Sequence, residues 1–185
     1  GLHWQLYLDG EIASFPEEIH PVMNYAPPKI CMLSGVGALE AATSGGNVVT
    51  LTGAGFGPGP RILEAQSAVE YTQSPGSAGG GGLTGTHTAA ACRVVSNTEM
   101  LCNAAAGTGT GYRWRVLNVG GQDSQWSAQT VTTKYAAPVI VQLSGDGEDG
   151  APAAGGARLT ISGTNLGGSS ASLDVVRSAD EYDSE

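Results

Sequence analysis

The sequence predicts an all-β protein built from small antiparallel β-sandwiches repeated in tandem. Three observations predict it. The first is an internal repeat at a constant offset of 110 residues. Tyr25, Pro28, Ile30, Leu33, Ser34 and Gly35 recur as Tyr135, Pro138, Ile140, Leu143, Ser144 and Gly145. Gly45, Gly46, Thr50, Gly53 and Gly57 recur as Gly155, Gly156, Thr160, Gly163 and Gly167, and upstream Gly1, Trp4, Gly10 and Ser14 recur as Gly111, Trp114, Gly120 and Ser124. A fixed offset marks a duplicated structural unit. The second observation is a series of short β-branched and aromatic runs, about seven per unit, separated by turn residues. The third is composition: 29 Gly in 185 residues, with 41% apolar and 14% charged residues, which suits several small cores rather than one large one. The repeat also fixes the phase. Residues 1–24 are expected to be the last strands of one unit, 25–134 a complete unit, and 135–185 the opening strands of the next. The chain reads as a window on a longer array.

Within the complete unit the elements follow in order. Pro27-Pro28 introduces a first strand, Lys29 to Leu33, which Ser34-Gly35 ends; Pro is tolerated at the start of an edge strand because no ladder bond is needed there. A loop is expected from Val36 to Gly46. Asn47-Val48-Val49-Thr50-Leu51-Thr52 alternates and is β-branched, the clearest strand in the chain. Gly53 to Pro58 is a glycine turn. Arg61 to Glu64 and Ser67 to Tyr71 are weaker strands. Residues 72–88 hold Gly79-Gly80-Gly81-Gly82 and are expected to form an excursion. A hairpin follows, with Asn97 at its centre. Tyr112 to Val119 alternates, with Tyr112, Trp114, Val116 and Asn118 on one face. Gly120-Gly121 turns the chain into a last strand, Trp126 to Tyr135.

The hairpin centred on Asn97 sets Cys92 opposite Cys102. Opposed residues of an antiparallel pair approach closely enough for a disulfide, which is favoured over two free buried thiols. It also points to an oxidising setting. Cys31 has Val141 as its counterpart and reads as a small buried residue of the first strand, with an inter-repeat or interchain bridge as the alternative.

The order Pro28, Ile30, Gly45-Gly46, Val49-Thr50-Leu51-Thr52-Gly53, Phe56-Gly57 resembles the opening of an IPT/TIG domain, the immunoglobulin-like fold of plexins, fibrocystin-like ciliary proteins and some transcription factors. Cys92 and Cys102 match the cysteine pair common in extracellular members, and Tyr135 matches the Tyr that closes a domain before the next one's Pro138. The second copy repeats the pattern with Leu159-Thr160-Ile161-Ser162-Gly163 and Leu166-Gly167. The resemblance implies tandem immunoglobulin-like β-sandwiches with a role in binding or architecture. It departs from the family in lacking Pro after the second cysteine, where Asn103-Ala104-Ala105 stands, and in its Gly-rich excursion.

Several function classes are disfavoured. A net charge of −9 leaves no basic stripe for nucleic acid or an anionic membrane surface. No apolar run reaches the roughly 20 residues that span a bilayer. Gly53 to Gly59 resembles a dinucleotide fingerprint only superficially, because Pro58 stands where a glycine is needed and no helix follows. His3, His20 and His87 lack metal spacing and none recurs, so no catalytic, cofactor or metal site is expected. Asp146-Gly147-Glu148-Asp149-Gly150 reads as a solvated loop in preference to a calcium site, since its counterpart Val36 to Glu40 carries one charge. Trp4 and Trp114 read as the core aromatic of each unit, in preference to a sugar-stacking platform. Trp126 does not recur and reads as a contact between neighbours. Tyr25, Pro28, Tyr135 and Pro138 are the expected junction residues. No Asn-x-Ser/Thr sequon occurs. The chain is therefore expected to be a non-enzymatic structural or adhesive module of a surface or filament protein, extracellular or flagellar. Its expected partners are neighbouring repeats, other copies, other surface proteins or glycans. The alternatives are a ligand-binding receptor ectodomain and an accessory domain of a carbohydrate-active protein.

Overall fold

The structure, a computed structural model, describes residues 6–13, 25–63, 66–75, 85–147, 150 and 152–167. Trp4, His3, His20, Glu148, Asp149, the Gly79–Gly82 run and the acidic residues from Asp180 onward lie outside the described residues.

Apolar alternation decides the central unit. In β4 (Val48–Ala54), Val49 and Leu51 point inward and are fully buried, while Val48 is exposed. The period of two puts one row of side chains in the core and the next outside. β4 pairs antiparallel with β3 (Lys29–Ser34) on one side and β9 (Glu99–Asn103) on the other. β8 (Ala90–Ser96) and the two-residue β5 (Arg61–Ile62) complete a five-stranded sheet of order β3-β4-β9-β8-β5. The opposing sheet has order β10-β6-β7, from Tyr112–Leu117, Ala68–Gln73 and His87–Thr88. Val49, Leu51, Val94, Met100 and Cys102 of the first sheet share one core with Val69, Tyr71, Tyr112, Trp114 and Val116 of the second. Two antiparallel sheets thus enclose a single apolar layer.

Two hairpins flank this unit: β1–β2 (Leu6–Leu8 with Glu11–Ala13) and β11–β12 (Val139–Ser144 with Thr160–Thr164).

Several expectations are corrected. The Val36–Gly46 loop contains a single helical turn, α1 (Val36–Leu39), whose Gly37 and Ala38 are buried against β4. The excursion at 72–88 is shorter, because β6 runs to Gln73 and His87–Thr88 pairs back onto it. In the β8–β9 hairpin the turn is Asn97-Thr98, with Ser96 opposite Glu99; Val95 is the extra residue of a bulge and does not face Glu99. The last strand, Trp126 to Tyr135, is interrupted. Val131 turns back to the Ala128 carbonyl, and Ser124 and Ser127 replace backbone acceptors along β10. Asn118 leaves the β10 alternation with φ 53. The hairpin turn at Asp9-Gly10, between Leu8 and Glu11, resembles the turn at Gly120-Gly121, between Val119 and Gln122. These two turns are 111 residues apart, one more than the 110 that separates the other matched residues.

Candidate functional site

The side chains of the opposing sheet build a ring column. Tyr71 stacks on Trp114 with centroids 4.3 Å apart and on His87 at 5.0 Å. Tyr112 meets both Tyr71 and His87 edge-on. These residues converge because β6 aligns Tyr71 beside Trp114 in β10 and beside His87 in β7. Trp114 is completely buried, and its indole N–H donates to Thr133 Oγ1 at 2.9 Å. A buried Trp needs such a partner, and Thr133 is held in place by a two-way backbone pair with Tyr112.

The column ends at Tyr135. Its ring meets Tyr112 edge-on, and its hydroxyl donates to the Ala105 carbonyl at 2.8 Å. Tyr71 Oη lies 2.9 Å from Tyr135 Oη and accepts from the Ala105 amide at 2.8 Å. Because the Tyr135 proton is committed to Ala105, Tyr71 donates to Tyr135. Burial pushes the Tyr71, Tyr112 and Tyr135 phenols above their ordinary range, most strongly Tyr135. His87 is shifted the other way, because burial disfavours its cationic form; its Nε2 has no hydrogen-bond partner among the described residues. The amides of Ala104 and Ala105 donate to Asn47 O and Tyr71 Oη, so Pro, which has no amide proton, would break the network at either position.

Cys92 and Cys102 form a disulfide with their Cα atoms 4.1 Å apart, buried at the centre of the five-stranded sheet. Cys31 is exposed, contrary to the buried reading. The β3–β4 register slips between Ile30 and Met32, so Cys31 is the bulged residue and turns out of the core. Trp126 lies beneath the Arg115 guanidinium, 4.5 Å from the ring centroid, and Arg115 is held by Glu70 at 2.8 Å. A groove of ≈ 420 Å³ between β5 and the β8–β9 hairpin is lined by Arg61, Ile62, Arg93, Val95, Glu99 and Leu101. Among the described residues no group of three His, Cys, Asp or Glu is placed to hold a metal ion. No described helix is long and apolar enough to cross a membrane.

The junction residues behave unequally. Pro28 and Tyr135 are buried, whereas Tyr25 and Pro138 are exposed. Tyr135 and its neighbours are pinned to the central unit: Ala41 N to Lys134 O, Tyr135 N to Gly109 O, Ala136 N to Ala41 O. Only Ala137 and Pro138 separate Ala136 from Val139, where β11 begins.

β11–β12 then reproduces β3–β4. Lys29↔Ala54, Ile30↔Gly53, Met32↔Thr52, Leu33↔Leu51 and Ser34↔Thr50 become Val139↔Thr164, Ile140↔Gly163, Gln142↔Ser162, Leu143↔Ile161 and Ser144↔Thr160. The bulge recurs with Val141 in place of Cys31. Gly53 and Gly163 serve the same close approach, since a Cβ would lie 1.8 Å from Lys29 O in one and 2.0 Å from Val139 O in the other. What differs is cover. Ile30 is 6% exposed and Val49 0%, whereas their counterparts Ile140 and Leu159 are 59% and 48% exposed.

Comparison with protein-family models, curated proteins and solved structures returns no match. The ring column and its Ser and Thr partners were only partly legible in the sequence. Trp114 stood out through its repeat partner Trp4. Tyr71 and His87 did not, because their pairing depends on a strand register that crosses the Gly-rich segment.

Proposed function

We propose that the chain is a structural or adhesive module of an extracellular or cell-surface filament protein, built from tandem immunoglobulin-like units of the IPT/TIG type. The observation that carries this reading is the recurrence of one hairpin, with the same register and bulge, two residues beyond the last backbone bond of the central unit. A joint of two residues, one of them Pro138, leaves little slack, so successive units behave as a semi-rigid rod. The disulfide supports an oxidising compartment. The acidic balance speaks against nucleic acid. The role is architectural rather than catalytic, with neighbouring units of the same chain as first partners and other copies, surface proteins or glycans as further ones.

A second reading, a ligand-binding receptor ectodomain, draws support from the β5–β8 groove, which sets Arg61 and Arg93 beside exposed Ile62. Immunogold labelling with antibody against residues 25–135 separates these readings on intact, non-permeabilised source cells. Label along extended surface structures is the expected result. Label that appears only after permeabilisation contradicts the proposal. Diffuse label on the plasma membrane favours the receptor reading.

A further inference from the structure

We propose that β11–β12 is an acceptor hairpin, covered in the longer protein by a downstream segment of the same chain carrying the strand pattern of residues 76–135. This rests on the tandem reading above and adds the partner, its register and its source. β3–β4 shows what this hairpin looks like when covered: β9 lies along the free edge of β4, with Val49↔Cys102, Thr50↔Leu101 and Leu51↔Met100, and Tyr71 and Trp114 of the facing sheet share the core with Val49 and Leu51. β11–β12 keeps the backbone geometry, and no described strand pairs along the free edge of β12. Ile140, Leu143 and Leu159 are 59%, 44% and 48% exposed, where their counterparts Ile30, Leu33 and Val49 are buried or half-buried.

The glycines sort the same way. At Gly45 a Cβ would meet Ala106 N at 2.5 Å, an atom of the loop after β9; at Gly155, with φ 78 against 79, nothing lies within 4 Å. Contacts made within the hairpin survive in both copies, as at Gly53 and Gly163, and contacts supplied by the second half of a unit are missing from one. The occupant is therefore specified. One strand pairs along β12 with apolar residues at the positions equivalent to Met100 and Cys102. The facing sheet supplies aromatic residues of the Tyr71 and Trp114 kind. A cis source follows from balance for the strand along β12, because β9 has no second copy in the 185 residues and a second chain's own β9 already covers its β3–β4. Lending it would uncover one hairpin to cover another.

The test uses the 185-residue chain and an extension in which residues 76–135 are appended directly after Glu185, the position that the repeat offset specifies. Hydrogen exchange is read at the β12 amides, Thr160 to Thr164. In the extension these amides are expected to slow by at least about 100-fold, and Leu159→Asp to abolish the slowing. A second probe guards against mismatch in the hybrid unit: an oxidised peptide of residues 88–104 is added to the 185-residue chain and is expected to slow the Thr160 and Ile161 amides. If both probes leave β12 exchange unchanged while β4 stays protected, the proposal is overturned. Concentration-dependent protection of β12 in the 185-residue chain alone would also overturn it, in favour of a second copy as occupant. Unprotected β12 alongside surface-filament labelling would remove this assignment and leave the architectural reading standing.

Discussion

Trp114 sits where strand pairing, ring stacking and a buried hydrogen bond meet, so the stability of the central unit depends on it. Trp114→Ala removes a fully buried ring and leaves Thr133 without its donor; a loss of about 3–5 kcal/mol is expected by chemical denaturation. Tyr135→Phe is a finer probe. It takes the donor from Ala105 O and the acceptor from the Tyr71 hydroxyl, both in a buried setting, for an expected loss of about 1–3 kcal/mol. The same hydroxyls set the pH response. Phenols raised by burial hold their protons more tightly folded than unfolded, so their contribution is complete below about pH 10 and declines as pH rises through the folded values. His87 acts at the other end. Its folded pKa is depressed, so the folded state binds fewer protons, and stability present above about pH 6.5 falls as pH drops through the folded value. Denaturation midpoints across pH check both slopes. His87→Gln is expected to flatten the acid limb and Tyr135→Phe the alkaline one.

At the scale of elements, the disulfide and the glycine contacts make separable predictions. Reducing Cys92–Cys102 opens a short loop, with a sequence separation of 10, and is expected to cost about 3 kcal/mol without changing the fold. Gly53→Ala would press a methyl group into the Lys29 carbonyl and is expected to cost roughly 3 kcal/mol or more. Gly163→Ala makes the same clash with Val139 but is expected to loosen β11–β12 alone and leave the melting of the central unit unchanged. The strands with strict alternation, β4 and β10, were legible because one face of each is buried and the other is not. Elements built from side-chain substitution were not. Ser124 and Ser127 take the place of backbone acceptors, and no periodicity signals that. Cys31 shows the same limit, since a bulge reverses the facing of one residue, and a bulge has no fixed sequence mark. The two-residue turn at Asn97-Thr98 kept Cys92 opposite Cys102 because its bulge falls at Val95, between the turn and the disulfide.

At the scale of the molecule, the repeat carried the furthest. It anticipated the register of β11–β12 from β3–β4 residue by residue, because local hairpin geometry follows local sequence. It did not anticipate the turn at Gly120-Gly121, before which Asn118 is left-handed and pinned by Asp123 and Gln66. The candidate site was less legible than the fold for a related reason. Cover of a hairpin comes from strands far along the chain, and only the structure separates a covered hairpin from an uncovered one. The proposed function requires that units of this kind follow one another through a joint of two residues as a semi-rigid rod. Small-angle X-ray scattering on the protein isolated from its source tests it most directly. A rod-like profile is expected, with the cross-section of a single β-sandwich and a length that grows in proportion to chain length. A compact profile, or that of a flexible string of beads, would contradict it.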